Sequence, residues 1–341
     1  MHEFLLEYGL FLAKTVTWVV ALAVLVAMIG ASVQAAREDS GERLEVKNIN
    51  DRLRRLAEVL NAELLDGPAQ KRERKRRKAE EKTRRKAAKA QKDDAAQRPR
   101  LFVLDFQGDL QASRVGALRE EISALLQVAR PADEVLLRLE SPGGVVHGYG
   151  LAASQLKRIR DRGLRLTAAV DKVAASGGYL MACVADRILA APFAIVGSIG
   201  VIGQMPNFNR LLRRNDIDFE MHTAGEFKRT LTMFGENTDA ARAKFQEELD
   251  QTHSLFKDFV AGNRPQVALA RVATGEHWYG TQAMELQLID EIRTSDDYLL
   301  ERAKDADVFE LHYRLRRKRF EQLLSGILGA VSQWRARSGI M

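Results

Sequence analysis

Residues 134–178 read EVLLRLESPGGVVHGYGLAASQLKRIRDRGLRLTAAVDKVAASGG. One succession of parts occurs twice in them. The apolar run Glu134–Glu140 leads into Ser141-Pro142-Gly143-Gly144, and the run Leu164–Val170 leads, past Asp171-Lys172-Val173, into Ala174-Ala175-Ser176-Gly177-Gly178. Each run has strand length and each is followed by a glycine turn. The stretch Tyr149–Arg162 between them is long enough and amphipathic enough to form a helix.

Outward from this pair the pattern continues. Leu101–Phe106 and Ile188–Ala191 read as further short apolar strands, and Arg114–Val128 as a helix. Strands alternating with helices imply βαβ units and a mostly parallel sheet, so the fold class is α/β. Residues Ile188–Asn209 form a charge-free run of 22 residues, which by length alone could span a membrane. Pro192, Gly197, Gly200, Gly203 and Pro206 interrupt it, with polar Ser198, Gln204 and Asn207, and that composition suits turns and packed strands instead.

Each glycine turn precedes a helix, whose first N–H groups have no partner within the helix. Two such turns at neighbouring strand ends can hold an oxyanion. The serine in the second turn, Ser176, needs a base. The chain has six histidines, of which His147, three residues past the first turn, is the best placed. The other route is a lysine whose burial favours the neutral amine. Lys228, in AGEFKRT (Ala224–Thr230), is the candidate, although a lysine beside an arginine is ordinarily exposed.

The chain has 341 residues, 46% of them hydrophobic, and a net charge of +7. It is long enough for a full core and too apolar to be wholly disordered. Its one cysteine, Cys183, excludes an intrachain disulfide or a Cys-rich zinc site. The charge is local. Residues 71–100 carry 15 Lys/Arg against 5 Asp/Glu, a net +10, which leaves −3 for the remainder. With no interleaved aromatics, this run argues against a nucleic-acid protein. It suits either a solvated linker or a contact with anionic lipid headgroups.

The uncharged run Thr15–Ala36, 22 residues with Trp18 near one end, predicts a single N-terminal transmembrane anchor, favoured over a cleaved signal peptide. Leu53, Leu56, Leu60 and Leu64 fall at helical spacing in a juxtamembrane helix that ends at Gly67-Pro68. At the far end Phe320, Leu323, Leu324, Ile327, Leu328, Val331 and Trp334 form one apolar stripe, read as packing on the body or a neighbour, or as an interfacial helix. The expected organisation is an anchor (1–37), a juxtamembrane helix with polybasic tether (38–100), a catalytic domain (101–300) and an amphipathic tail (301–341).

DKVAASGGY (Asp171–Tyr179), LESPGG (Leu139–Gly144), APFAIVGSIGV (Ala191–Val201), AGEFKRT and GEHWYG (Gly275–Gly280) together resemble the bacterial signal peptide peptidase family (SppA/SohB type), most closely its membrane-anchored SohB branch. The resemblance covers essentially the whole chain. It implies a crotonase/Clp-protease-type fold of stacked ββα units and hydrolysis of peptide bonds without metal or cofactor. Carried over by position, it implies Ser176 as nucleophile, Lys228 as general base and the N–H groups of Gly144 and Gly177 as the oxyanion hole. Gly143 supports that turn, and Ser198 matches a position able to hydrogen-bond the lysine.

Only one copy of the catalytic motifs is present, with Ser176 and Lys228 52 positions apart. The resemblance then implies a homo-oligomer whose dyads are shared between protomers, with peptide or unfolded polypeptide as substrate. It also implies the bacterial inner membrane as location. Family resemblance favours a periplasmic catalytic domain, whereas the positive tether favours the cytoplasmic side. Two rival readings are an acyl-CoA-type hydrolase or hydratase on the same fold, and a membrane scaffold working through its tether.

Overall fold

The computed structural model describes residues 14–19, 42–72, 75–76, 79, 82–83 and 98–314. Two units divide the chain: Glu45–His312, and a second made of Met1–Leu44 with Tyr313–Met341. Residues 14–19 are helical. The rest of the expected anchor (20–36), most of the tether and the whole stripe Phe320–Trp334 lie outside the described residues. Among the described residues no helix is long and apolar enough to cross a membrane.

In chain order the elements are β1 (Arg43–Asn48), α1 (Ile49–Leu64), β2 (Arg100–Gln107), α2 (Val115–Val128), β3 (Glu134–Glu140), α3 (Val146–Asp161), β4 (Arg165–Val170), β5 (Val173–Ala175) and α4 (Gly177–Ala182). They continue with β6 (Arg187–Ala190), β7 (Ile195–Gly197), α5 (Asn209–Arg214), α6 (Asp239–Asn263), α7 (Leu269–Val272), β8 (His277–Tyr279), α8 (Gly280–Glu285), β9 (Glu291–Ile292), α9 (Ser295–Asp305) and β10 (Asp307–Arg314).

Seven strands form one sheet in the order β1-β10-β2-β3-β4-β6-β9. From β10 to β9 every neighbouring pair is parallel. Strands covered on both faces must be apolar along their whole length, which is why EVLLRLE and LRLTAAV read as continuous runs. Alternate side chains serve two cores. Phe102, Leu104 and Phe106 of β2 join the core that includes Leu118 and Ile122 of α2 and Ala152 and Leu156 of α3. Leu101 and Val103 join the opposite core with Ile49, Tyr298, Leu299 and Val308.

A second sheet, β5-β7-β8, lies at the C-terminal ends of the central strands. Successive units repeat one plan. β4 runs into β5 and then α4, and β6 runs into β7. β3 runs into Ser141, which bridges in parallel to Ala174 of β5 before α3 begins. Each first strand lies in the large sheet and each second strand or bridge in the small one. The charge-free run 188–209 is thus divided between both sheets and forms no spanning helix, as its glycines and prolines require.

The leucine-spaced juxtamembrane helix is α1. It is docked by a buried polar residue: the Asn50 amide donates to the carbonyls of Ala303 and Ala306, and its oxygen accepts from Val308 N. Leu53 packs on the second core, whereas Leu56, Leu60 and Leu64 are exposed. The boundary expected at residue 300 falls inside α9, whose buried Tyr298 and Leu299 carry the fold on to His312. Between α3 and β4 the chain turns at Gly163, with φ +74°. Its N–H donates to Arg160 O and that of Leu164 to Ile159 O. This paired bonding ends a helix where glycine accepts the left-handed conformation.

Candidate active site

The two glycine turns meet. Ser141 N–H donates to Val173 O, and Ala175 N–H donates back to Ser141 O. Gly143, with φ +91°, lies against Ser176: a Cβ built there would be 2.7 Å from Ser176 Cβ and 2.8 Å from Ala175 O. Gly144 abuts Leu110 O, which itself accepts from Val145 N. Among the described residues no protein acceptor is bonded to the N–H of Gly144 or of Gly177. Two backbone donors next to a serine are thereby left to solvent or a ligand.

Ser176 is half-buried and has φ +51° and ψ −118°, a conformation that costs a non-glycine residue about 1–3 kcal/mol. Its N–H is held by Gly197 O at 2.8 Å. The small sheet thus fixes the nucleophile candidate from the far side. Ser198 follows Gly197, is half-buried, and also has positive φ, +53°. Its N–H donates to Glu276 O at 2.7 Å. A Cβ at Gly197 would lie 2.8 Å from the Trp278 ring, so GEHWYG forms the wall behind VGSIG.

Ser176, Gly143, Gly144 and Gly177 are therefore brought together, with Ser198 next to the strand that holds Ser176. Lys228 is exposed in the irregular stretch 215–238, with its own N–H on Gly225 O, and no hydrogen bond joins it to Ser176 among the described residues. His147 is also exposed, in the first turn of α3.

Buried groups around the site are held inert. Burial pushes the Cys183 thiol up to about 12 and the Tyr179 phenol well above its ordinary 10.0. Tyr179 OH donates to Leu288 O, tying α4 to the chain before β9. Among the described residues no group of three or more His, Cys, Asp or Glu is arranged to hold a metal. Sequence reading missed the Gly197 carbonyl and Tyr149. The Gly197 carbonyl has no side chain to betray it, and Tyr149 has the setting of an ordinary helix residue. Its one signal is a phenol hydroxyl just beyond a glycine turn.

A serine between paired glycine turns at the strand ends of an α/β sheet is an arrangement able to carry acyl transfer. Residues 3–156 match Peptidase family S49 N-terminal, and residues 158–309 match Peptidase family S49. The chain belongs to peptidase family S49 and is a peptidase of SppA/SohB type. It is 48% identical over 325 residues to the Probable protease SohB of Haemophilus influenzae, covering 93% of this chain and 91% of that protein. It is 57% identical over 234 residues to the Probable protease SohB of Buchnera aphidicola from Acyrthosiphon pisum, covering 69% and 70%. A further Buchnera Probable protease SohB, from Schlechtendalia chinensis, is 61% identical over 204 residues, covering 60% and 67%.

Proposed function

We propose that this peptidase is a membrane-anchored serine endopeptidase that works through a Ser176–Lys228 dyad on signal-peptide remnants or unfolded polypeptide. The observation that carries the reading is the contact of Gly143 with Ser176 beside two unpaired donors, Gly144 N–H and Gly177 N–H. Neutral Lys228 Nζ takes the Ser176 proton, and Oγ attacks the scissile carbonyl carbon. The carbonyl oxygen becomes an oxyanion held by the two N–H groups. The C–N bond then breaks, and Lys228 returns the proton to the leaving amine. It next takes a proton from water, whose oxygen attacks the acyl carbon; the C–Oγ bond breaks and Lys228 returns that proton to Ser176 Oγ.

A lysine becomes a base when its surroundings exclude water, and Lys228 is exposed in the single chain. A neighbouring copy would supply that cover. The same stretch carries apolar side chains that a single chain leaves exposed, among them Ile217 (52%), Phe219 (43%) and Phe227 (53%). These observations favour a homo-oligomer in which one protomer's Lys228 serves another's Ser176. In that arrangement Ser198, the residue after Gly197, would accept a hydrogen bond from that lysine or donate one to it. The repeated strand pairs favour the crotonase/Clp-protease-type ββα arrangement. Thr15–Ala36 is the anchor in the bacterial inner membrane, and the basic run 71–100 is its lipid-facing tether.

Mixed oligomers test this. Ser176→Ala and Lys228→Ala should each abolish peptide hydrolysis in a folded protein, and co-assembling the two should restore part of it. A fluorophosphonate should label Ser176 in the parent. Near-normal turnover in Lys228→Ala would discard the dyad and turn attention to His147.

A further inference from the structure

Behind the two turns lie two fully buried hydroxyl side chains, Ser141 and Tyr149. Their oxygens are 2.6 Å apart. Gly143 N is 3.1 Å from Ser141 Oγ, and Tyr149 OH is 2.8 Å from the backbone carbonyl of Asp109. The two ends fix the direction of this chain, because an amide can only donate and a carbonyl can only accept. Gly143 N–H donates to Ser141, Ser141 donates to Tyr149, and Tyr149 donates to Asp109 O. Both hydroxyls are committed, and neither has freedom to rotate.

The far end of the chain is itself secured. Gly108 N–H donates to Glu140 O, and Ala112 N–H donates to Asp109 O. The Asp109 carboxylate bonds Ser113 through both its N–H and its hydroxyl, which lowers the Asp109 pKa below its ordinary 3.8. Burial raises the Tyr149 pKa above 10.0 against the opposing effect of the Ser141 bond, so the phenol keeps the proton it donates.

Tyr149 also reaches the second turn. A Cβ built on Gly177 would collide with its ring, 2.7 Å from Cδ2. One built on Gly178 would lie 2.6 Å from Ser141 O. The hydroxyl of Tyr149 therefore holds the first turn through Ser141, while its ring abuts the second at Gly177. A Phe–Ala pair could fill much of this space without the cost of burying two hydroxyls. We infer that Tyr149 and Ser141 are positioning residues that set the separation of the Gly144 and Gly177 N–H donors. This inference rests on the Ser176 reading above. Their effect falls on the transition state, because only the oxyanion needs both donors at once.

The test uses the full-length chain in detergent. Tyr149→Phe keeps the ring and removes the hydroxyl. Its kcat on an internally quenched apolar decapeptide should fall about tenfold to a hundredfold with KM unchanged. The rate of Ser176 labelling by a fluorophosphonate, whose phosphoryl oxygen must occupy the same donors, should fall by a similar factor. Ser141→Ala should reproduce both losses, and the double variant should be no slower than the slower single, since one chain is broken once.

Unchanged kcat and labelling in Ser141→Ala, or a loss confined to KM, would overturn the inference even if Tyr149→Phe failed to fold. Ser176→Ala separates the two readings. Full hydrolysis by that variant removes the nucleophile and this inference with it. An inactive Ser176→Ala beside unaffected Tyr149→Phe and Ser141→Ala removes the positioning role alone.

Discussion

Gly143 and Ser176 touch across the two turns, and no side chain fits between them. Gly143→Ala must place a methyl 2.8 Å from Ala175 O while holding φ at +91°. It should cost about 1–3 kcal/mol of stability and at least about a hundredfold in hydrolysis. Gly163→Ala is the control. Its φ is +74°, yet a Cβ there meets nothing within 4 Å. Denaturation should register a cost of about 1–2 kcal/mol, with turnover unchanged.

The Arg264–Asp290 pair should respond asymmetrically. Arg264 is almost fully buried and bonds both Asp290 oxygens, at 2.7 and 2.8 Å, and Gln287 O at 3.0 Å. Asp290 keeps 30% of its side chain exposed and also accepts from Ile188 N. Asp290→Ala leaves a buried guanidinium without its anion, at a cost of about 3–5 kcal/mol. Arg264→Met leaves a carboxylate that reaches water and should cost about 1–3 kcal/mol. Urea midpoints in that order support the asymmetry, and the reverse order refutes it.

Asp133 supplies a pH signature. Burial alone would raise its pKa, but bonds from the Arg100 side chain, the Arg130 backbone and the Arg100 backbone outweigh burial and hold it below 3.8. A carboxyl lowered in the folded state contributes stability that is complete above its unfolded pKa. That contribution is lost as pH falls through the folded value. Asp133→Asn should therefore be less stable than the parent at pH 7, with the gap narrowing below about pH 4. A constant gap from pH 7 to pH 2 would assign the loss to packing.

Cys183 should be silent. A thiol pushed up to about 12 by burial has almost no thiolate at neutral pH. Iodoacetamide should leave hydrolysis intact and modify Cys183 only after unfolding. Rapid modification of the native chain, or inactivation by it, would contradict this environment.

The central strands are legible in the sequence because they are long enough to carry a pattern. The strand Glu134–Glu140 coincides with its apolar run, and Arg100–Gln107, Arg165–Val170 and Arg187–Ala190 differ from theirs by a residue or two at the ends. β5, β7 and β8 have three residues each, too few for any period, and β7 lies inside the apolar run 188–209. The paired turns are visible as motifs. What holds them is not: Gly197 O on Ser176 N, and Tyr149 on Asp109 O, join residues 21 and 40 positions apart. α1 is visible from its leucines, yet its attachment runs through Asn50, a polar residue with no pattern to mark it. The position of Lys228 relative to Ser176 has no local determinant, since the stretch around it forms neither helix nor strand.

The turn at Gly163 has a practical consequence. It is an exposed turn where an added Cβ meets nothing within 4 Å, and it falls between the SPGG turn and the ASGG turn in the chain. A polypeptide divided there would put Gly143 and Gly144 on one fragment and Ser176 and Gly177 on the other. Neither fragment would own a whole site. If Ser176 is the nucleophile as proposed, reassembly of the β3–β4 seam would be the event that switches hydrolysis on, making the turn a natural insertion point for a split-protease reporter.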